Sequence, residues 1–217
     1  MPSFSDRRTM MVDTQVRPSD VTKFPIIAAM LAVPREDFAP AALREAAYVG
    51  ENLTVAPQRV LLEPRTFAKM LDALDIGPDE LVLDVGCALG YSAAVIGHMA
   101  EAVVALEEDA AMAAEAETAL AAAGADNVVV VRGPLAAGAA KHGPYDVITV
   151  EGGISALPPA LVDQLKEGGR IACLWMQGGP GTLRIGLKSG GRLNWRSAFN
   201  AAAPVLPGFA AAPEFTL

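Results

Sequence analysis

The sequence predicts an α/β fold: a doubly wound, mostly parallel sheet, with a helical segment before it and an antiparallel hairpin after it. Three observations predict it. From Leu81 onward, short apolar runs alternate with helix-patterned stretches, the rhythm of parallel strands joined by right-handed crossover helices. The first run breaks at Gly86, and a second glycine, Gly90, precedes a helical pattern that opens at Tyr91. After Gly178 the rhythm changes to two strand-like runs around Lys188-Ser-Gly-Gly191, the composition of a hairpin turn.

Residues 1–75 are expected to form an N-terminal segment, largely helical from about Thr9 to Asp75. Ile26, Ile27, Met30 and Leu31 fall at helical spacing, and Pro34 punctuates the end. Phe67, Met70, Leu71 and Leu74 give a second apolar stripe, with Pro64 suited to its first turn. Between them, residues 53–62, with Pro57, read as irregular or strand-like. Residues 76–217 are expected to form the α/β part of the same compact unit. Its predicted elements are a strand at 81–85, a helix at 91–99, a strand at 103–106 and an alanine-rich helix at 109–123. Asp109 is suited to cap that helix and Gly124 to stop it. Strands at 128–131 and 147–150 follow, then a helix at 158–165 ended by Gly168-Gly169, a strand at 171–175, and hairpin strands at 183–187 and 193–199. The last stretch, with Pro204, Pro207 and Pro213, is expected to wrap the surface.

The 217 residues are enough for one sizeable core. Much of the hydrophobic fraction of 52% is alanine, and charge or glycine breaks the longest apolar runs short of the ~20 residues of a membrane span. A formal charge of -8 argues against nucleic acid, whose phosphates require a basic surface. Arg59 and Arg65 are expected to be solvated side chains. Cys87 and Cys173 form neither a metal-ligand spacing nor a disulfide framework, which suits a reducing cytoplasm. Arg7-Arg8 is not read as an export signal, because Asp13, Gln15, Arg17 and Asp20 interrupt any apolar stretch after it. His98 and His142 are expected to be structural or solvated.

The chemistry concentrates at the glycine turn, Gly86-Cys-Ala-Leu-Gly-Tyr91. A strand, a glycine turn and a helix start bring backbone close to a nucleotide-like ligand. The next strand ends in Glu107, 21 positions after Gly86, and an acid about 20 residues beyond the turn is placed to accept hydrogen bonds from ribose hydroxyls. The bland readings are close strand–helix packing for the two glycines, a solvated strand-end acid for Glu107 and a small buried filler for Cys87. Tyr91 either packs under a ligand or only starts the helix. Glu151, at the end of the fourth strand, either meets substrate or is a loop charge. Trp175 and Trp195 read as packing residues.

The glycine turn and hairpin resemble those of class I S-adenosylmethionine-dependent methyltransferases, a Rossmann-like fold. The stretches Val33-Pro-Arg-Glu-Asp-Phe38, Leu43-Arg-Glu-Ala-Ala-Tyr48, Pro144-Tyr-Asp146 and Gln164-Leu-Lys-Glu-Gly-Gly169 resemble, in order, those of protein-L-isoaspartate O-methyltransferases. The resemblance runs from about Met11 to the hairpin. It implies S-adenosylmethionine as methyl donor, S-adenosylhomocysteine as product, and a carboxylate of a damaged aspartyl or asparaginyl residue in a protein as acceptor. Backbone groups from Gly86 through Cys87 and Ala88 to Gly90 would face the donor's amino acid portion and Glu107 its ribose. Gly133 and Pro134 stand at the adenine turn, and Tyr91 and Glu108 are further candidate donor-binding residues. Val60, Leu62 and Glu151 would lie at the acceptor. An ionised carboxylate attacks a sulfonium methyl without a general base, so positioning can supply most of the catalysis and no residue is assigned a catalytic role.

The chain departs from the family at three places. The family carries a Thr and a Ser where this chain has Val60 and Leu62, neither able to donate a hydrogen bond. It carries an acid beside the adenine where this chain has Gly133-Pro134-Leu135, and a middle glycine where this chain has Ala88. These motivate two alternatives, a methyltransferase with another acceptor and a non-catalytic relative with a binding or regulatory role. A nicotinamide-dependent dehydrogenase is disfavoured, because the glycines do not follow Gly-x-Gly-x-x-Gly and there is no Tyr-x-x-x-Lys pair.

Overall fold

The computed structural model describes residues 2–177 and 179–211. The N-terminal segment is helical in short pieces. Helix α1 (Phe4–Met11) opens on a reciprocal capping box between Ser3 and Asp6. It runs through a π turn and a 3₁₀ turn to α2 (Phe24–Ala32), whose buried Ile26, Ile27 and Met30 match the predicted stripe. Residues 53–62 resolve into a small antiparallel hairpin, β1 (Leu53–Ala56) and β2 (Arg59–Leu61). Helix α3 (Pro64–Leu74) then buries Phe67, Met70, Leu71 and Leu74 on one face.

The main sheet has seven strands: β3 (Leu81–Val85), β4 (Ala102–Glu107), β5 (Val128–Arg132), β6 (Tyr145–Ile154), β7 (Leu165–Trp175), β8 (Thr182–Ser189) and β9 (Arg192–Asn200). Their order is β5-β4-β3-β6-β7-β8-β9. The first five are parallel neighbours, and β8 and β9 add the predicted antiparallel hairpin. Side chains alternate between the faces of a strand. Val82, Val103 and Val147 therefore join one core with the N-terminal helices, α4 (Tyr91–Gly97) and part of α5 (Ala110–Ala122). Leu83, Val104 and Ile148 join a second core on the other face.

Four expectations need correction. The helix predicted at 91–99 ends at Gly97, where the Asn127 amide donates to the carbonyls of Gly97, Ala100 and Glu101 and closes the helix end. The helix predicted at 158–165 is the single turn α6 (Pro159–Asp163), and β7 already begins at Leu165, opposite Tyr145 of β6. Crossover helices were expected to join the parallel strands. Between β5 and β6, however, the chain makes only two 3₁₀ turns, Leu135–Ala137 and Ala140–His142. The fourth concerns the last stretch, which does not wrap the surface. Ala203, Leu206 and Phe209 are buried, and Leu206 and Phe209 complete the second core. Gly153 donates to the Pro204 carbonyl at 2.8 Å and accepts from Leu206 at 2.9 Å, while Ser155 and Ala156 donate to Phe209. Residues 203–209 thus form a strap across the carboxyl end of β6. Pro213 lies outside the described residues.

Asp109 caps α5 as expected, accepting from the amides of Ala111 and Met112 at 2.9 Å each. Asp109→Ala is expected to cost about 1 kcal/mol, read as a lower urea midpoint with an unchanged slope. No helix among the described residues is long and apolar enough to cross a membrane, and none of their acidic, histidine or cysteine side chains group into a metal site.

Candidate active site

Strands β4 and β5 extend the sheet on one side of β3, and β6 and β7 extend it on the other. The crevice at the carboxyl ends of β3 and β6 is therefore the switch point where a doubly wound sheet accepts ligands. The glycine turn leaves β3 there. Gly86 and Gly90 have φ of 81° and 94°, which glycine adopts without steric cost. They face different neighbours. A Cβ on Gly90 would meet Leu120 of α5 at 3.2 Å, so this glycine serves helix packing. A Cβ on Gly86 would meet Leu206 at 3.3 Å, the Arg59 guanidinium at 3.4 Å and Leu135 at 3.6 Å. Ala88 holds φ at 51°, a left-handed conformation that costs a residue with a Cβ roughly 1–2 kcal/mol. Its amide donates to Glu107 Oε2 at 2.9 Å, which offsets that strain.

Glu107 ends β4 with no exposed surface. Its Oε1 also accepts from the amides of Glu108 and Asp109 at 2.9 and 3.0 Å. Arg59 supplies the rest. Its Nη1 donates to Oε1 at 2.8 Å, and its Nη2 pairs closely with Oε2. A carboxylate offers about four acceptor positions, so these five donors saturate Glu107. The expectation that Arg59 is solvated is thus overturned. Only 3% of it is exposed, because its planar fork matches a buried carboxylate across 48 positions of sequence. Arg65 is exposed.

Beside this pair lies a cavity of about 10 Å³, lined by Val60, Leu62, Gly86, Cys87, Tyr91 and Glu151, with Arg35 at its edge. That is room for about one water molecule. Arg35 is buried and holds the carbonyls of Ala47 and Leu62 at 2.7 and 2.8 Å. Its guanidinium lies 4.7 Å from the centre of the Tyr91 ring. Tyr91 also packs against Phe38 and Phe67, so it is a core residue as well as the start of α4. Among the described residues, Arg35 Nη1, Tyr91 Oη and Glu151 Oε1 have no hydrogen-bond partner. Burial pushes the Glu151 carboxyl well above the ordinary range; Asp84 adds to the shift and Arg35 opposes it. Burial likewise raises the Cys87 thiol, which makes it a poor nucleophile.

The structure therefore gathers Val60, Leu62, Gly86, Cys87, Tyr91 and Glu151 around one small cavity, with Ala88, Glu107 and Glu108 joined to it through the Glu107 carboxylate. Gly133 donates to the Glu107 backbone carbonyl at 3.0 Å, and Pro134 next to it is exposed. A wider groove of about 770 Å³ lies on the flank, between residues 34–44 and α5. It takes one residue of the glycine turn, Leu89, and none of the groups named above. Four residues central to the site escaped sequence reasoning: Arg35, Arg59, Asp84 and Leu206. Arg35 and Asp84 stood inside stretches that the sequence singles out, Val33–Phe38 and the strand leading into the glycine turn, but neither was assigned a role.

Asp84 sits on β3 in full burial, accepting from Ser92 Oγ at 2.6 Å and Thr149 Oγ1 at 3.0 Å. Burial pushes its carboxyl up to about 6 from 3.8, against the pull of those two hydrogen bonds. Between these values the folded state holds a proton that the unfolded chain has released, so Asp84 makes stability fall as pH rises through that window. Asp84→Asn removes the effect. Urea midpoints of the variant, relative to wild type, are expected to rise from about pH 4 to about pH 6.

Residues 7–176 match the family model described as protein-L-isoaspartate(D-aspartate) O-methyltransferase. A protein-L-isoaspartate O-methyltransferase of Koribacter versatilis is 36% identical over 171 residues, 79% of this chain and 77% of the relative. One from Rhodopseudomonas palustris is 38% identical over 169 residues, 78% and 69% of the two chains. A solved protein-L-isoaspartate O-methyltransferase of Plasmodium falciparum, in complex with S-adenosyl-L-homocysteine, superposes with a TM-score of 0.79 at 18% identity. It covers 95% of this chain and 99% of that one. A second solved structure of that name also gives 0.79, at 22% identity, over 95% of this chain and 66% of its own.

Proposed function

Because the chain belongs to the protein-L-isoaspartate(D-aspartate) O-methyltransferase family, we propose that it is an S-adenosylmethionine-dependent methyltransferase of protein isoaspartyl carboxylates, working in protein repair in the cytoplasm. The observation that carries this reading is the placement of the glycine turn and Glu107 together at the switch point, beside a pocket edged by a buried arginine. The family relation supplies the donor and the acceptor.

In the arrangement present, these residues do not fit the cofactor. A ligand of nucleoside size needs a site on the order of 300 Å³ or more, and the space over Gly86 holds the side chains of Leu206, Arg59 and Leu135. The acid expected to take the ribose hydroxyls has no acceptor position left. The acceptor side is apolar where Val60 and Leu62 form its wall. Arg35, whose Nη1 has no hydrogen-bond partner among the described residues, lines that cavity and is the cation placed to meet a substrate carboxylate entering there.

The Arg59–Glu107 pair also favours a second reading, a non-catalytic relative that keeps the fold for binding or regulation. Methyl-labelled S-adenosylmethionine and an isoaspartyl peptide, incubated with stoichiometric protein, separate the two. Label in that peptide and none in its aspartyl isomer is the expected result. No label in either, from folded protein, would leave the second reading.

A further inference from the structure

We propose that Arg59 and the 203–209 strap are an internal occupant of the donor site, so that this chain binds its nucleoside ligand only after both withdraw. The inference rests on the donor assignment above and adds to it a closed form built from the chain's own side chains.

Two independent contacts make the closure. Arg59, from the β1–β2 hairpin, puts a guanidinium on both oxygens of Glu107, where a diol would have to donate. Leu206, from the strap, covers the glycine turn beside it, both side chains crowding the same Cβ position of Gly86. It reaches within 3.3 Å of a Cβ position on Gly86 and 2.6 Å of one on Gly152. Gly152 and Gly153 let the strap lie directly on β6, and the backbone hydrogen bonds between Gly153 and residues 204 and 206 hold it there. Both elements lie outside the αβ crossovers, one before the sheet and one after it. Each can therefore move without unpairing a central strand. Among the described residues Arg59 Nε has no partner even in the closed form, and the hydrogen bonds of its guanidinium go to Glu107.

When only an open form accepts a ligand, the apparent Kd is the open-form Kd divided by the open fraction. Weakening either contact must then tighten binding, although the altered residue gains no contact with the ligand. The test is calorimetric titration of the full chain with S-adenosylhomocysteine, for wild type, Leu206→Ala and Arg59→Lys. The lysine variant keeps a charge beside Glu107 and so protects the fold, while losing the two-pronged grip. Circular dichroism checks that each protein is folded. Both variants are expected to bind at least about tenfold more tightly than wild type. Equal affinity for all three would overturn the closure and leave the donor assignment standing. Binding by none of the folded proteins would overturn both.

Discussion

Glu107→Ala is expected to destabilise the protein more than Arg59→Ala, each by on the order of 3–5 kcal/mol, because breaking a buried ion pair leaves an uncompensated charge. The two losses are not symmetrical. Without Arg59, Glu107 keeps the amides of Ala88, Glu108 and Asp109. Without Glu107, those three amides lose an acceptor at once, and a guanidinium that is 3% exposed loses the carboxylate it is hydrogen-bonded to. Ala88 also loses the hydrogen bond that offsets its left-handed backbone. Urea unfolding of the two variants and of a double variant, Arg59→Met with Glu107→Gln, checks this. The double variant should recover part of the Glu107→Ala loss, since neither partner then carries a charge. Equal losses would contradict the asymmetry, and losses below about 1 kcal/mol, as for exposed pairs, would mean the pair is hydrated in solution. One practical consequence is that Glu107→Ala cannot report ligand binding unless its folding is measured as well.

Gly153→Ala is expected to undock the strap. A Cβ there would lie 2.6 Å from the Ala203 carbonyl oxygen, 2.6 Å from Met176 Cγ and 3.1 Å from the Pro204 carbonyl oxygen. Two of these three are backbone atoms, so no side-chain rotation relieves the clash. Overpacking of this kind costs about 1–3 kcal/mol, and moving the strap exposes Leu206 and Phe209 as well. The expected result is a lower thermal midpoint together with new protease cleavage between residues 203 and 209. Gly133→Ala is the control, because its Cβ would make only an ordinary 3.6 Å contact with Leu106. A Gly153→Ala protein as stable and as protease-resistant as the control would show that the strap is not pressed against β6.

The fold was legible because its signals are local. The continuous apolar runs of β3 and β4, buried on both faces, the glycines at strand ends and the stripe on α3 each lie within about a dozen residues, the range over which such patterns act. The glycine turn was legible for the same reason. The Arg59–Glu107 pair was not, since nothing near Arg59 distinguishes a buried arginine from a solvated one. Its partner lies 48 positions away on the far side of the glycine turn. The strap misled for a different reason. Pro204 and Pro207 exclude helix and regular strand, which suggests surface, yet Leu206 and Phe209 between and after them are the buried residues. They fill the face left thin by the missing crossover helix between β5 and β6.

Amide hydrogen exchange of the wild-type chain, with and without saturating S-adenosylhomocysteine, tests the closed site most directly. The amides of Gly153, Leu206 and Phe209 are bonded in the closed form. Faster exchange at these positions on ligand binding, with the central strands unchanged, is the predicted result. Saturable binding with their protection unchanged or increased would contradict it, because the ligand would then share the site with the strap in place.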